Sequence, residues 1–224
     1  MVNLRKPGKR GGNARESASR DAVKAPWWTR LEFVLAAHEL GQLPDDSGVE
    51  VAVAGRSNAG KSSAINAITA QAKLARTSKT PGRTQQLVVF QLDPAHRVID
   101  LPGYGYAQVP PQLRDHWRAT IDRYFGTRRS LRGLLLAMDS RHPLTEFDSL
   151  MLEYCAARGL ACHVLLTKAD KLTHSQSLAV MRQVAGALGS GPEVASAQLF
   201  SVPKKIGIDS ARAVLGNWLG LGEG

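Results

Sequence analysis

One short stretch restricts the possible folds more than any other. The apolar run VEVAVAG, residues 49–55, leads into GRSNAGKSS, residues 55–63, and a helical pattern follows from Ser62. Gly55 and Gly60 permit tight turns and close approach of a ligand to the backbone. The amides between them can form an anion nest, and the helix N-terminus adds partial positive charge. Lys61 supplies a full charge suited to β- and γ-phosphates, and the Ser62 hydroxyl suits Mg²⁺. This is the G-x-x-x-x-G-K-[ST] pattern in the strand–loop–helix setting it needs, so a phosphate-binding α/β domain is expected.

Three later stretches narrow the ligand. In RVIDLPGYGYA, residues 97–107, Asp100 ends a short strand pattern, where an acid can hold a water of the Mg²⁺ shell. Gly103 then brings its amide toward a γ-phosphate. In CHVLLTKADKL, residues 162–172, an apolar strand runs into Thr167-Lys168-Ala169-Asp170. A carboxylate at Asp170 can accept from both N1–H and the N2 amino group of guanine, and adenine offers no such pair. The Lys168 stem can lie along the base plane. Alone, TKAD reads as a solvated turn. After a P-loop and a D-x-x-G it reads as a base selector, and it disfavours an ATP-dependent small-molecule kinase. A third stretch, LFSVPKKIGID at 199–209, is a weaker strand-end signal whose Ser201 and Val202 backbone could close over the base. Between the P-loop and Asp100 lies ARTSKTPGRTQQLVVFQL, a polar segment able to order around a nucleotide. Thr84 is its best candidate for a second Mg²⁺ hydroxyl, with Thr77 and Thr80 as competitors.

The remaining pattern gives the architecture. Strands are expected near 50–55, 86–92, 97–100, 132–139, 161–167 and 198–201. Helices are expected near 62–72, 111–126, 145–158, 175–188 and 208–219. The alternation implies a six-stranded, mostly parallel sheet with helices on both faces. Only DPAH joins the second and third strands, too short for a parallel crossover, so they should form an antiparallel hairpin. PWWTRLEFVLAAHEL, residues 26–40, predicts a further amphipathic helix with Trp27, Leu31, Val34, Leu35 and His38 along one face. At 224 residues the chain can bury a sizeable core. Cys155 and Cys162, its two cysteines, read as buried thiols in a reducing cytosol.

The net charge of +10 is uneven. Residues 1–30 hold eight Lys/Arg against two Asp/Glu. Residues 1–24, rich in Gly, Ser and Arg, are expected to be a disordered basic extension ahead of a domain over 25–224. That charge fits either a solvated extension or an arm that neutralises nucleic-acid phosphates. The segment has no apolar centre of a secretory signal, and Glu16 and Asp21 argue against a transit peptide. No apolar run approaches the roughly 18 residues of a membrane span.

The motifs GRSNAGKSSAINA, TSKTPGRTQ, DLPGYGYA, DSRHPLTEFD, LTKADKL and FSVPKKIGID occur in the order found in the EngB (YihA/YsxC) family, which the chain resembles over most of residues 26–219. That family belongs to the TrmE-Era-EngA-EngB-Septin-like GTPases. The resemblance implies a Ras-like P-loop fold, GTP or GDP with Mg²⁺, and a cytoplasmic role in assembling the large ribosomal subunit, needed for normal cell division and septation. It also implies the large subunit or its rRNA as partner, with no membrane, no DNA and a monomeric chain. Carried over by position, Gly55, Arg56, Ser57, Asn58, Ala59, Gly60, Lys61 and Ser62 hold phosphates, and Ser62 and Thr84 ligate Mg²⁺. Gly82, Arg83, Thr84, Gln85 and Gln86 form a first switch. Asp100, Leu101, Pro102 and Gly103 begin the second. Thr167, Lys168, Ala169 and Asp170 read guanine, with Phe200, Ser201 and Val202 on its far side. Lys61, Thr84 and Gly103 are the catalytic candidates. The family often has a smaller residue in place of Val202.

Many GTPases place a water-orienting glutamine directly after D-x-x-G. Here that residue is Tyr104, so slow intrinsic hydrolysis is expected. Gln85 or Gln86 could substitute. Asn58 either helps hold a charge-neutralising potassium ion, as in related GTPases, or simply stabilises the turn. A rival function is a nucleotide-gated RNA-binding module in which hydrolysis is incidental. It would use Arg114, Trp117 and Arg118, then Arg128, Arg129 and Arg132, where the plainer reading is a solvated helix face with one packed tryptophan.

Overall fold

The computed structural model describes residues 25–76, 86–103, 111–188 and 195–222. The expected basic extension, Thr77, Thr80, Gly82, Arg83, Thr84, Gln85 and Tyr104 lie outside them. The strands are β1 (Glu32–Ala37), β2 (Val49–Gly55), β3 (Leu87–Asp93), β4 (His96–Asp100), β5 (Leu131–Asp139), β6 (Ala161–Thr167) and β7 (Ala195–Leu199). The helices are α1 (Lys61–Thr69), α2 (Pro111–Thr127), α3 (Glu146–Arg158), α4 (His174–Leu188) and α5 (Ile208–Leu219). None of these helices is long and apolar enough to cross a membrane.

One sheet runs β1-β3-β4-β2-β5-β6-β7. Strands β4, β2, β5, β6 and β7 are mutually parallel, whereas β3 is antiparallel to both its neighbours, β1 and β4. The hairpin of β3 and β4 is thus as the short connection requires.

Side-chain alternation splits the core into two layers. Ala52, Ala54, Val89, Leu134, Leu136, Val164 and Leu166 face one way, beneath Ile121 and Tyr124 of α2, Met151 of α3 and Val184 of α4. Val51, Val53, Val98, Leu135 and Leu165 face the other, beneath Ile65 and Ile68 of α1 and Leu215 and Leu219 of α5. Helix α3 starts at a capping box: the Asp148 carboxylate accepts from the Thr145 amide at 2.9 Å, and the Thr145 hydroxyl oxygen accepts from the Asp148 amide. Cys155 and Cys162 are buried free thiols. Burial and the Cys155 thiol beside it push Cys162 well up, the hydrogen bond contributing most.

Among the described residues the sheet has seven strands rather than six, because the helix expected over 26–40 does not form. Trp27–Arg30 make a short 3-10 turn, and Glu32–Ala37 become edge strand β1. The apolar run LEFVLAA fits either period, and the open edge of β3 decides the matter: Phe33 sits opposite Phe90, and Ala37 opposite Leu87. Trp27 and Leu31 still reach the α1/α5 side of the core, while Phe33 is 57% exposed. His38, expected on that helix, follows the strand instead. The Gln86 side-chain amide donates to its Nε2 at 2.7 Å. The last expected strand, near 198–201, is shifted, since β7 ends at Leu199.

Candidate functional site

The loop between β2 and α1 is shaped by backbone conformation. Asn58 (φ 62°) and Gly60 (φ 90°) both take left-handed geometry, which only glycine adopts freely and asparagine tolerates. Gly60 is the N-cap of α1, and no side chain caps that helix. Its first-turn amides therefore point at the loop with their partial positive charge. The Ser57 hydroxyl is buried without a protein partner among the described residues. Gly55 must be glycine, because a Cβ there would lie 2.7 Å from the Ala137 carbonyl oxygen.

Lys61 opens α1, and its ammonium forms an ion pair with the Asp100 carboxylate at the end of β4. Both side chains are largely buried. Burial pushes the Asp100 carboxyl up, and the Lys61 charge works against that rise. Ser62 follows on the same turn. A hydroxyl and a carboxylate are hard oxygen donors, which suits Mg²⁺. Gly103, three residues past Asp100, lies against the loop, since a Cβ on it would be 3.6 Å from the Gly55 oxygen and 3.7 Å from the Ser57 nitrogen. The Leu101 amide donates to the Val53 carbonyl, and the Leu101 side chain is core.

Strand β6 delivers the third motif to the same sheet end. The Thr167 hydroxyl donates to the Ala59 carbonyl at 2.5 Å. Lys168, left-handed at φ 58°, donates from Nζ to the Asn58 carbonyl at 2.5 Å. The Asn58 backbone carbonyl thus ties the phosphate loop to the TKAD lysine. Ala169 is buried, and its amide donates to the Phe200 carbonyl at 3.2 Å. Asp170 is held by the Ser201 hydroxyl, which donates to Oδ1 at 2.7 Å and keeps that carboxyl below its ordinary range. Phe200 is a core side chain, and the Ser201 amide is engaged with the Ile206 carbonyl, so it is the hydroxyl of Ser201 that serves the site. Val202 is exposed.

Position alone could not reveal several supporting groups. Asp139, at the end of β5, accepts from Lys168 Nζ and from the Arg141 guanidinium, each at 2.8 Å. Burial opposes its ionisation, but those hydrogen bonds win and hold the carboxyl well below its usual range. The Trp117 indole N–H donates to the Pro102 carbonyl at 3.1 Å, fastening the D-x-x-G backbone to α2. Burial raises the Asp148 carboxyl, and hydrogen bonds from Thr145 and the charge of Arg56 work against that rise. Asp139, Arg141 and Asp148 belong to DSRHPLTEFD, but nothing in its spacing showed that it abuts the TKAD lysine and the P-loop.

Several of the residues read for RNA binding have partners within the protein. Trp117 is buried, Arg118 pairs with Glu146 at 3.0 Å, and Arg128 pairs with the buried Glu50 at 2.6 Å. Arg132 donates to the Arg129 carbonyl. The side chain of Arg114 lies outside the described residues.

Comparison with known proteins agrees with this geometry. Residues 50–168 match the 50S ribosome-binding GTPase family. The chain is 56% identical over 193 residues to "Probable GTP-binding protein EngB" of Stenotrophomonas maltophilia, covering 86% of this chain and 96% of that one. It is 57% identical over 194 residues to the protein of the same name in Xanthomonas campestris pv. campestris, covering 86% and 93%. Among solved structures, a probable GTP-binding protein EngB superimposes with a TM-score of 0.62 at 20% identity, covering 77% of this chain and 99% of that one. Elongation factor SelB of Methanococcus maripaludis, bound to the GTP analogue GppNHp, gives 0.54 at 17% identity, over 79% and 35%. These two likenesses show the shared fold. With the loop, the D-x-x-G strand and the TKAD strand converging at one sheet end, the chain belongs to the EngB family of GTPases.

Proposed function

We propose that the protein binds GTP and GDP with Mg²⁺, hydrolyses GTP slowly, and acts in the cytoplasm as a monomeric nucleotide switch during assembly of the large ribosomal subunit. Loss of that switch would impair division and septation. One observation carries the nucleotide reading: Thr167 and Lys168 bond to the carbonyls of Ala59 and Asn58, so the base-reading motif and the phosphate loop form one rigid cradle. In that cradle the α1 amides and Lys61 would face the phosphates, the Ser62 hydroxyl would ligate the metal together with Thr84, and Asp100 would hold a water of the metal's shell. Asp170, pre-aimed by Ser201, accepts from guanine. When bound, Mg²⁺ supplies charge neutralisation at the β- and γ-phosphates. Gly103 lies close enough to the loop to report the γ-phosphate. The description of the matched family supports the ribosomal partner.

Two measurements test this. In competition titrations GTP and GDP should bind and ATP should not. Asp170→Asn should weaken GDP roughly tenfold to a hundredfold, because a donor then faces guanine's own donors. Equal competition by ATP in the unaltered protein refutes the base reading. Sedimentation with isolated large subunits should show more protein bound with a non-hydrolysable GTP analogue than with GDP. Nucleotide-independent sedimentation refutes the switch.

A further inference from the structure

We propose that Asp139 is a positioning residue of the base site, which acts through Lys168 to set how long a guanine nucleotide stays bound. The inference rests on the guanine reading above and extends it to a residue to which the sequence reading assigns no role.

Asp139 ends β5 and pairs in register with Thr167, the last residue of β6. Its side chain is 7% exposed. Oδ2 accepts from Lys168 Nζ at 2.8 Å and from Arg141 Nη2 at 2.8 Å, and Oδ1 accepts from Arg141 Nε at 3.0 Å. Lys168 in turn bonds to the Asn58 carbonyl. Both Lys168 and Asn58 hold left-handed backbone that costs each a non-glycine penalty. A lysine ammonium is a compact, mobile charge on a flexible stem, and its direction is set by its partners. Here one partner is a neutral carbonyl of the phosphate loop and the other is the fixed anion of Asp139. Removing the anion frees a side chain already 30% exposed to turn toward water. The stem then leaves the base plane and the tie to Asn58 goes with it. Asp170 is anchored separately by Ser201, so the reading of the base edge should survive.

These contacts predict a specific kinetic pattern. Release of fluorescent GDP and of a fluorescent GTP analogue is followed by stopped flow in wild type, Asp139→Asn, Lys168→Met, the double variant and Arg141→Ala. Asp139→Asn should speed release of both nucleotides by the same factor, roughly tenfold for loss of a charge-assisted hydrogen bond. The preference for GDP over inosine diphosphate, which lacks the N2 amino group, should be unchanged. Lys168→Met keeps most of the stem and loses the ammonium, so it should match Asp139→Asn, and the double variant should be no faster than either single one. Arg141→Ala leaves Lys168 its anion and should stay within about twofold of wild type. Wild-type release rates in Asp139→Asn, multiplying effects in the double variant, or an Arg141→Ala effect as large as that of Asp139→Asn would each overturn the proposal. Should Asp139→Asn fail to fold, wild-type release in Lys168→Met overturns it equally. If the unaltered protein does not prefer GDP to ADP, the base reading itself fails; if that preference is intact and release is unchanged in the variants, only this inference fails.

Discussion

Replacing Glu50 with glutamine should cost far more stability than its distance from the nucleotide site suggests. Glu50 is fully buried near the start of β2. Its carboxylate accepts from Arg128 Nε at 2.9 Å and Nη2 at 2.6 Å, and from Arg97 Nη1 at 3.3 Å. Glutamine keeps the shape but turns a donor toward two guanidinium groups. Breaking a buried ion pair by removing one partner costs about 3–5 kcal/mol, because it leaves the opposite charge uncompensated. Both arginines keep some support: Arg97 has the carbonyls of Asp45, Ser47 and Pro94, and Arg128 has that of Pro44 and the Asp46 carboxylate at 3.7 Å. The lower end, about 3 kcal/mol, is therefore expected, or a fall in Tm of roughly 6–12 °C for a chain of this size. Urea unfolding followed by circular dichroism would read the loss. GDP affinity of the folded variant should be unchanged, since Gly55 lies about 16 Å further along the strand. Converting the whole cluster, Glu50→Leu with Arg97→Met and Arg128→Met, should recover much of the stability. A loss below about 1 kcal/mol for Glu50→Gln, or a fall in GDP affinity without one, would refute the reasoning.

At Asp46, burial opposes ionisation, but amides of Arg129 and Ser130 and the Ser130 hydroxyl outweigh it and bring the carboxyl from 3.8 to about 2. Its folded value is depressed, so its contribution is present above about pH 4 and is lost as pH falls toward 2. Asp46→Asn should cost about 1–2 kcal/mol at pH 7 after solvent screening, and the gap to wild type should close in chemical unfolding at pH 2. Gly55→Ala should abolish GDP binding or folding, because its methyl would collide with the Ala137 backbone; a soluble variant with wild-type titration would show that the strand end can yield. Lys61→Ala should weaken a GTP analogue more than GDP in fluorescent titrations, since the lysine acts at the β- and γ-phosphates, and equal losses would count against that placement.

Much of the site was legible because each motif pairs a local conformation with a chemical need. A glycine at φ 90° and a lysine at a helix start are readable in GRSNAGKSS, as is the strand before Asp100. What lay hidden depends on residues distant in sequence. Asp139 and Lys168 are 29 positions apart, and only the pairing of β5 with β6 brings them into contact. Similarly, Arg128 looked like a surface cation beside two other arginines until the fold placed Glu50 beneath it. The β1 error has another origin. LEFVLAA carries apolar residues dense enough for either period, and a free strand edge decided between them. Phe200 reads as lying at the far side of the base; its side chain is in the core, and the Ser201 hydroxyl beside it holds Asp170.

The hairpin of β3 and β4 has a mechanical consequence. In its register Val88 stands opposite Asp100, so the strand ends next to the two segments read as switches lie side by side. Those strand ends are two tines of a fork, unable to slide separately without breaking the ladder between them. The handle lies about 16 Å away, the length of five extended residues. There the Ala95 carbonyl accepts from the Val49 amide, and the Pro94 carbonyl accepts from Arg97. A contact that tilted the handle would move both tines together, giving a partner on the far rim of the sheet leverage over the phosphate end without ever touching it.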